Sequence, residues 1–384
     1  MRYCSRCLYP ETKPDLWFDE RGVCSACQSF EERDKIDWVQ REKDFRTVLD
    51  KVVSRTGDTY DAVVGVSGGK DSTFQILKLL EYGLNPLAVT AGTCSLTPIG
   101  RRNLDNIRKL GVDHIEVNVK PDIRHRINKI ALTEVGDISW PEHVLIFTVP
   151  VRVAVQYKVP LIVWGENSQN EYGGPEDAAR NNTLSRRWLE EFGGLLSLRV
   201  SDLMDETGIA KRDMIQYRYP EDEAIKAAGV TGIFLGHYFP WDGLTNMLTA
   251  QAYGFETHPK TIEGSLANYE NLDNAYHGIH DYFKYIKYGF GRATDIANNH
   301  IRRGRLSRTR SIELMRRHDG KFPLTYLDIP IEESLREIDM NLDTFINICD
   351  RFTNKSLFQC DNNGKPIKDP SGNLIPKFEI GSLE

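Results

Sequence analysis

Val63-Val64-Gly65-Val66-Ser67-Gly68-Gly69-Lys70-Asp71-Ser72 is the stretch on which the reading of this chain turns. A short apolar run enters a turn built on two adjacent glycines, and a helical pattern starts at about Ser72. Gly68 and Gly69 let the backbone turn tightly and bring bare N–H groups to one point. The N-terminus of the following helix adds more N–H groups and the positive end of its dipole. Strand, turn and helix together make an anion cradle. Lys70 supplies a point charge, Asp71 a carboxylate suited to Mg²⁺, and Ser67 and Ser72 hydroxyls for phosphate oxygens.

The spacing excludes the Walker pattern, which needs four residues between its glycines and then Lys-Ser/Thr. The order Ser-Gly-Gly-Lys-Asp-Ser instead resembles the PP-loop of the ATP pyrophosphatases. That resemblance implies a loop that cradles the pyrophosphate end of ATP and exposes the α-phosphorus, so that AMP passes to a substrate oxygen.

Working outward, strands and helices alternate. Apolar runs predict strands at 62–66, 87–91, 115–119, 161–165 and 232–236, with helices at 73–82, 101–110, 124–135 and 144–156. Such alternation predicts an α/β fold, a parallel sheet with helices on both faces. Ligands then sit beyond the carboxyl ends of the strands, where the glycine-rich turn lies. Two more strand ends carry unusual residues. One continues Trp164-Gly165-Glu166-Asn167-Ser168-Gln169-Asn170-Glu171-Tyr172-Gly173-Gly174; the other continues Gly236-His237-Tyr238-Phe239-Pro240-Trp241-Asp242. Glu166 and Glu171 are candidates to hold Mg²⁺ or a substrate hydroxyl, against the plain reading of a polar loop.

Ahead of this domain stands Cys4-Ser5-Arg6-Cys7, followed by Cys24-Ser25-Ala26-Cys27. The double C-x-x-C spacing predicts a zinc ribbon in which Cys4, Cys7, Cys24 and Cys27 close a tetrahedral shell. A closed shell has no open position for chemistry, so the Zn²⁺ is expected to be structural. A redox pair is the rival reading. A charged helix is expected over 31–53, and the organisation becomes zinc ribbon and linking helix (1–55), nucleotide domain (56–240) and a mainly helical region (241–384). In that last region one aromatic-rich helix is expected over 281–296 and a helix pair over 331–352. Between them Arg302, Arg303, Arg305 and Arg308 crowd one segment. Arginine favours planar recognition of carboxylate or phosphate, although most charge runs are solvated faces.

Composition narrows the function classes. The net charge of -6 argues against a nucleic-acid partner, whose binders carry a basic face. No apolar run approaches the ~20 residues of a membrane span. Seven cysteines, four of them in spaced pairs, point to metal binding in a reducing cytoplasm rather than to disulfides.

Several motifs together resemble the bacterial N-acetyl sugar amidotransferases. They are the paired cysteines, Ser67–Ser72, Gly165-Glu166-Asn167 with Glu171-Tyr172-Gly173-Gly174, and Tyr285-Ile286-Lys287-Tyr288-Gly289-Phe290-Gly291-Arg292-Ala293-Thr294-Asp295. The resemblance implies ATP-dependent conversion of a sugar acetamido group to an acetamidino group, for lipopolysaccharide O-antigen, other surface polysaccharide or flagellin glycans. It implies ATP and Mg²⁺ as well as Zn²⁺. It also implies ammonia from partners resembling the glutaminase and cyclase subunits of imidazole glycerol phosphate synthase. No cysteine stands at position 1 or 2 to act as a glutaminase nucleophile. Motifs and resemblance together assign Lys70, Asp71 and Glu166 to catalysis, and Ser67, Gly68, Gly69, Lys70, Asp71, Ser72 and Gly165 to ATP. Asn167, Glu171, Tyr172, Lys287, Arg292, Arg302, Arg303 and Arg305 are assigned to the sugar, a nucleotide-linked uronate or a nonulosonate being the candidates. The alternative is a PP-loop tRNA thiolase, whose chemistry needs reactive cysteines; only Cys94 lies near the expected site.

Overall fold

Apolar residues on both faces of each short strand dictate a sheet covered on both sides, which is what parallel sheets require. In the computed structural model β1 (Ala62–Gly65), β2 (Pro86–Ala91), β3 (Asp113–Val117), β4 (Leu161–Trp164) and β5 (Thr231–Phe234) form one sheet in the order β3-β2-β1-β4-β5. Every pairing is parallel, with Val63 opposite both Leu87 and Ile162. The structure describes residues 1–57, 59–167, 171–173, 200 and 208–382. Of the motif residues, Ser168-Gln169-Asn170 and Gly174 lie outside these.

Strand alternation decides which helix covers which face. Ala62 and Val64 pack with Ile76 and Leu79 of α3 (Lys70–Glu81) and with Phe45 and Leu49 of α2 (Trp38–Thr56). Val63, Leu87, Val89 and Ile162 point the other way, onto Trp140, Val144 and Val153 of α6 (Trp140–Tyr157) and Ile127 of α5 (Pro121–Val135). The α/β expectation therefore holds, each strand within two residues of its predicted bounds. The chain winds outward from β1 to β3 and then returns to β4 beside β1. That reversal opens a crevice between the carboxyl ends of β1 and β4. The glycine-rich turn leaves β1 there, and Gly165-Glu166 leaves β4 there.

Two predicted helices are broken. The first yields α1 (Ser25–Glu32) and α2, because Asp37 caps a new start by accepting from Gln40 N at 3.0 Å. The aromatic run yields α9 (His277–Tyr288) and α10 (Arg292–Arg302), separated at Gly289, whose φ of +77° ends the first helix in a left-handed cap. Three more helices complete the numbering before them: α4 (Pro98–Lys109), α7 (Asp222–Ala228) and α8 (Gly243–Ala252). α11 (Arg308–His318), α12 (Ile331–Glu337) and α13 (Leu342–Phe352) follow, the last two being the expected pair. α8, just beyond position 240, packs on α3. Among the described residues no helix is long and apolar enough to cross a membrane.

The N-terminal ribbon is built from two isolated antiparallel contacts, Tyr3 with Pro10 and Phe18 with Cys24. It docks on α10. Leu8 N donates to Asn298 Oδ1 at 2.7 Å, Tyr9 Oη to Asp295 Oδ1 at 3.0 Å, and Tyr9 meets Phe290 edge to face.

Candidate active site

α3 begins at Lys70, two residues earlier than the pattern predicts, so Lys70, Asp71 and Ser72 form its first turn. Its N-cap is Gly69, which has no side chain to turn back onto the helix N–H groups. This end of α3 is thereby kept for an anion. Gly68 has φ +80°, and a Cβ there would lie 2.7 Å from Leu104 N of α4. The loop is pressed against α4 in a way that only glycine permits.

Charge is concentrated at the loop's open side. Lys70 Nζ lies 2.5 Å from Asp71 Oδ2 and 3.1 Å from Glu270 Oε1. Burial alone would weaken the ammonium, but the Asp71 and Glu270 carboxylates hold its pKa well above the ordinary lysine value. Asn246 of α8 donates to Asp71 Oδ1 at 2.8 Å and fixes the carboxylate. Glu166 faces the same group; burial, with Asp71 nearby, pushes its carboxyl up to about 7. Glu270 and Asn246 were not legible in the sequence, since they come from the region where strand–helix alternation has ceased.

Two cavities of about 460 Å³ flank the loop. One lies over the sheet edge and is walled by Gly65, Thr90, Arg101, Glu116, Arg124 and Trp164. The other is walled by Gly68, Lys70, Tyr172, Tyr269, Glu270 and Arg292. Ser67, Asp71, Ser72, His143 and Glu166 line both. A cradle that a side chain would fill, a buried cation and three carboxylates fit the triphosphate of ATP with Mg²⁺; Asp71 and Glu166 are the residues that would hold the metal. A narrower cleft of about 40 Å³ lies beside Lys70, lined by Glu171, Tyr172, Asp242, Arg303 and Arg305.

The residues assigned to the sugar separate into two groups. Tyr172, Glu171, Arg292, Arg303 and Arg305 line these cavities. Arg292 donates to Asp281 at 3.1 and 3.2 Å, and Arg305 pairs with Asp242 at 2.5 Å. Glu171 is held by Arg33 and, at 3.4 Å, by Arg303. Asn167 is buried at the head of this motif, where its carbonyl accepts from Glu171 N at 3.1 Å. Gly165 is closely packed, since a Cβ would lie 3.0 Å from the Trp241 ring.

The structure does not bring Lys287, Arg302 or Arg308 to the cavities. Lys287 Nζ donates to Val135 O at 2.6 Å and closes the end of α5. Arg302 is buried over the Tyr9 ring and donates to Glu171 O at 3.0 Å. Arg308 donates to Cys7 O at 3.3 Å and Gly381 O at 2.8 Å. Each satisfies a backbone carbonyl that packing would otherwise strand, a demand that residue type and spacing do not reveal.

Cys4, Cys7, Cys24 and Cys27 are fully buried with all four sulfurs within 4.8 Å of one another. Cys4 and Cys27 Sγ are 4.0 Å apart and Cys7 and Cys24 Sγ 3.6 Å apart. A tetrahedral Zn²⁺ with sulfurs at ~2.3 Å needs edges of about 3.8 Å, so the group fits. Backbone N–H groups of Arg6, Cys7 and Cys24 point at Cys4 Sγ from 3.2 to 3.4 Å, favouring the thiolate. The ribbon also packs against the residue that follows Tyr172. Lys13 Nζ donates to Gly173 O at 3.2 Å, and a Cβ on Gly173 would meet Leu16 at 2.8 Å.

Residues 263–369 match the family described as LPS biosynthesis protein WbpG-like, C-terminal domain. This segment of the chain is similar to that C-terminal domain. The segment supplies Glu270, Asp281, Arg292, Arg303 and Arg305, so it forms one wall of the site built on the glycine-rich loop. The match agrees with the resemblance read from the sequence. No curated protein matches the chain. Among solved structures, NMN synthetase from Francisella tularensis is 16% identical, with a TM-score of 0.29 over 50% of this chain and 93% of that one. NH3-dependent NAD synthetase from Campylobacter jejuni is 12% identical, with a TM-score of 0.28 over 59% of this chain and 100% of that one. A predicted subunit of tRNA methyltransferase from Methanocaldococcus jannaschii is 17% identical, with a TM-score of 0.23 over 47% and 93%.

Proposed function

We propose that this protein is an N-acetyl sugar amidotransferase that converts an acetamido group to an acetamidino group, with ATP split to AMP and pyrophosphate and ammonia delivered by a partner glutaminase. The observation that carries the reading is the shared cavity: the phosphate cradle of Ser67–Ser72 and the later motif residues Tyr172 and Arg292 line one space. Nucleotide and sugar can then meet at the carboxyl ends of β1 and β4. The tRNA thiolase alternative is weaker. Cys94 lines neither large cavity, and burial pushes its thiol above the ordinary value.

An acetamide carbon is a poor electrophile and its oxygen a poor leaving group. Attack of that oxygen on the α-phosphorus of ATP solves both problems. The loop N–H groups and Lys70 offset the charge that grows on departing pyrophosphate. Mg²⁺ held by Asp71 and Glu166 would neutralise phosphate charge. Ammonia then bonds to the imidate carbon, and AMP leaves with the original acetamide oxygen. The product enters lipopolysaccharide O-antigen or a related surface glycan. The test is isotopic: with ¹⁸O in the acetamide, ATP, ammonium and candidate sugars, the label must appear in AMP and pyrophosphate must be released. Labelled phosphate with ADP would refute the reading.

A further inference from the structure

Away from the phosphates, one buried carboxylate gathers two histidines. Asp137 lies in the short link between α5 and α6 and is 4% exposed. Its Oδ1 accepts from Ser139 N at 2.9 Å and lies 2.8 Å from His280 Nδ1 of α9. Its Oδ2 lies 3.4 Å from His143 Nδ1 of α6. The two rings meet edge to face with centroids 5.2 Å apart. Burial alone would raise the Asp137 pKa, but His280 and His143 hold it well below the usual carboxylate range, so it stays anionic.

The two histidines differ in where they look. His143 lines both cavities that flank the loop, together with Ser67, Asp71 and Glu166; His280 lines neither. The His143 side chain is 25% exposed while its Nδ1 is buried against Asp137. Nε2 lies on the ring edge away from Asp137, and the residue lines both cavities. Among the described residues, other charged groups line the same cavities. Glu142, its neighbour on α6, is held by Arg124 at 2.6 Å. Asp71, Glu166 and Asp273 line both cavities with it; Arg101, Glu116 and His277 line one and Lys70, Glu270 and Arg292 the other, with Asp137 and His280 behind.

We propose that His143, oriented by Asp137, is the general base of the amidination step. The assignment rests on the amidotransferase reading. When ammonia bonds to the imidate carbon, its nitrogen becomes cationic and still carries three protons. His143 Nε2 takes one of them. The nitrogen lone pair so released expels AMP as the C–O bond breaks, leaving an amidinium product and an imidazolium. Asp137 offsets the imidazolium charge and keeps Nδ1 protonated, so that Nε2 is the acceptor in the resting state. His280 fixes the other carboxylate oxygen. The imidazolium later returns its proton to water.

The test uses the full-length protein with a sugar that the wild type accepts, ATP and ammonium. His143→Gln should lower kcat by about a hundredfold or more while KM for ATP stays within about twofold. Asp137→Asn should lower kcat and move the acidic limb of the pH profile. Histidine-selective ¹⁵N NMR gives a second readout that needs no sugar: the His143 signal should shift on adding Mg²⁺ with α,β-methylene ATP, and should titrate lower in Asp137→Asn. An active His143→Gln enzyme with an unchanged pH profile would overturn the assignment and leave the amidotransferase reading standing. A His143 signal blind to nucleotide and to Asp137→Asn would also overturn it, even if His143→Gln failed to fold. So would a second metal equivalent, beyond the cysteine site, that His280→Gln abolishes, because the cluster would then be a metal centre. A wild type that makes no AMP with any acetamido sugar would remove the amidotransferase reading, and the base assignment with it.

Discussion

Lys70 and Glu270 form an ion pair at 3.1 Å that joins the first turn of α3 to the WbpG-like domain. The loop that would hold phosphate is therefore braced from outside the strand–helix domain, and its lysine is neutralised by carboxylates until a nucleotide arrives. Lys70→Ala leaves Asp71, Glu166 and Glu270 facing one another without their cation. Removing one partner of a buried pair costs about 3–5 kcal/mol, so the melting temperature should drop well beyond that of a surface variant. AMP formation should fall by about 10²–10³-fold as well. The double variant Lys70→Met/Glu270→Gln separates the effects: it should regain much of the stability and none of the activity. Calorimetry together with an AMP assay reads both.

Glu166 makes the resting protein sensitive to pH. Its folded pKa of about 7 stands above the ordinary value of 4.5. Between those two values the folded state keeps a proton that the unfolded chain has released. The contribution of Glu166 to stability is thus full at low pH and is lost as pH rises towards 7. In the absence of metal, Glu166→Gln should flatten the slope of melting temperature against pH over that window. Adding Mg²⁺ with ATP at pH 8 should stabilise the wild type and do so far less in the variant.

The arginine segment divides by partner. Arg302, buried over Tyr9, is a packing residue, and Arg302→Ala should destabilise the fold by about 3 kcal/mol, with KM for the sugar little changed. Arg305 is partly exposed on the cleft beside Lys70. Arg305→Lys replaces a planar fork by a point charge and should raise KM for an anionic sugar several-fold with kcat nearly constant. Unchanged KM would make Arg305 a mere partner of Asp242.

Metal analysis should find one Zn²⁺ per chain, and Cys24→Ser should abolish it. Because the ribbon supplies Lys13 and Leu16 to the Gly173 segment, zinc loss should also expose that segment to proteolysis and weaken nucleotide binding. A folded, fully active, metal-free protein would contradict the structural role.

The sheet was legible because strands buried on both faces leave unbroken apolar runs such as Leu161–Trp164, bounded by polar turns. Ser67–Ser72 was legible because its chemistry is local. The break at Gly289 was hidden inside an aromatic run that satisfies a helical pattern on both sides. Glu270, Asn246 and the Asp137–His143–His280 cluster were not legible, since each acquires meaning only from a neighbour far along the chain. The arginines show the converse: a residue type suited to ligands was spent on Glu171 O, Cys7 O and Gly381 O, and spacing carries no record of such partners.

The docking of the ribbon on α10 has a consequence for the order of events during synthesis. Leu8 and Tyr9 leave the ribosome long before Asn298 and Asp295, which they bond. At about 5–20 residues per second the gap is on the order of tens of seconds. Throughout that interval Tyr9 and the four thiols have no α10 to cover them. Metal capture by the nascent chain would hold this small unit in shape, and shield its sulfurs from oxidation, until its permanent neighbour is made.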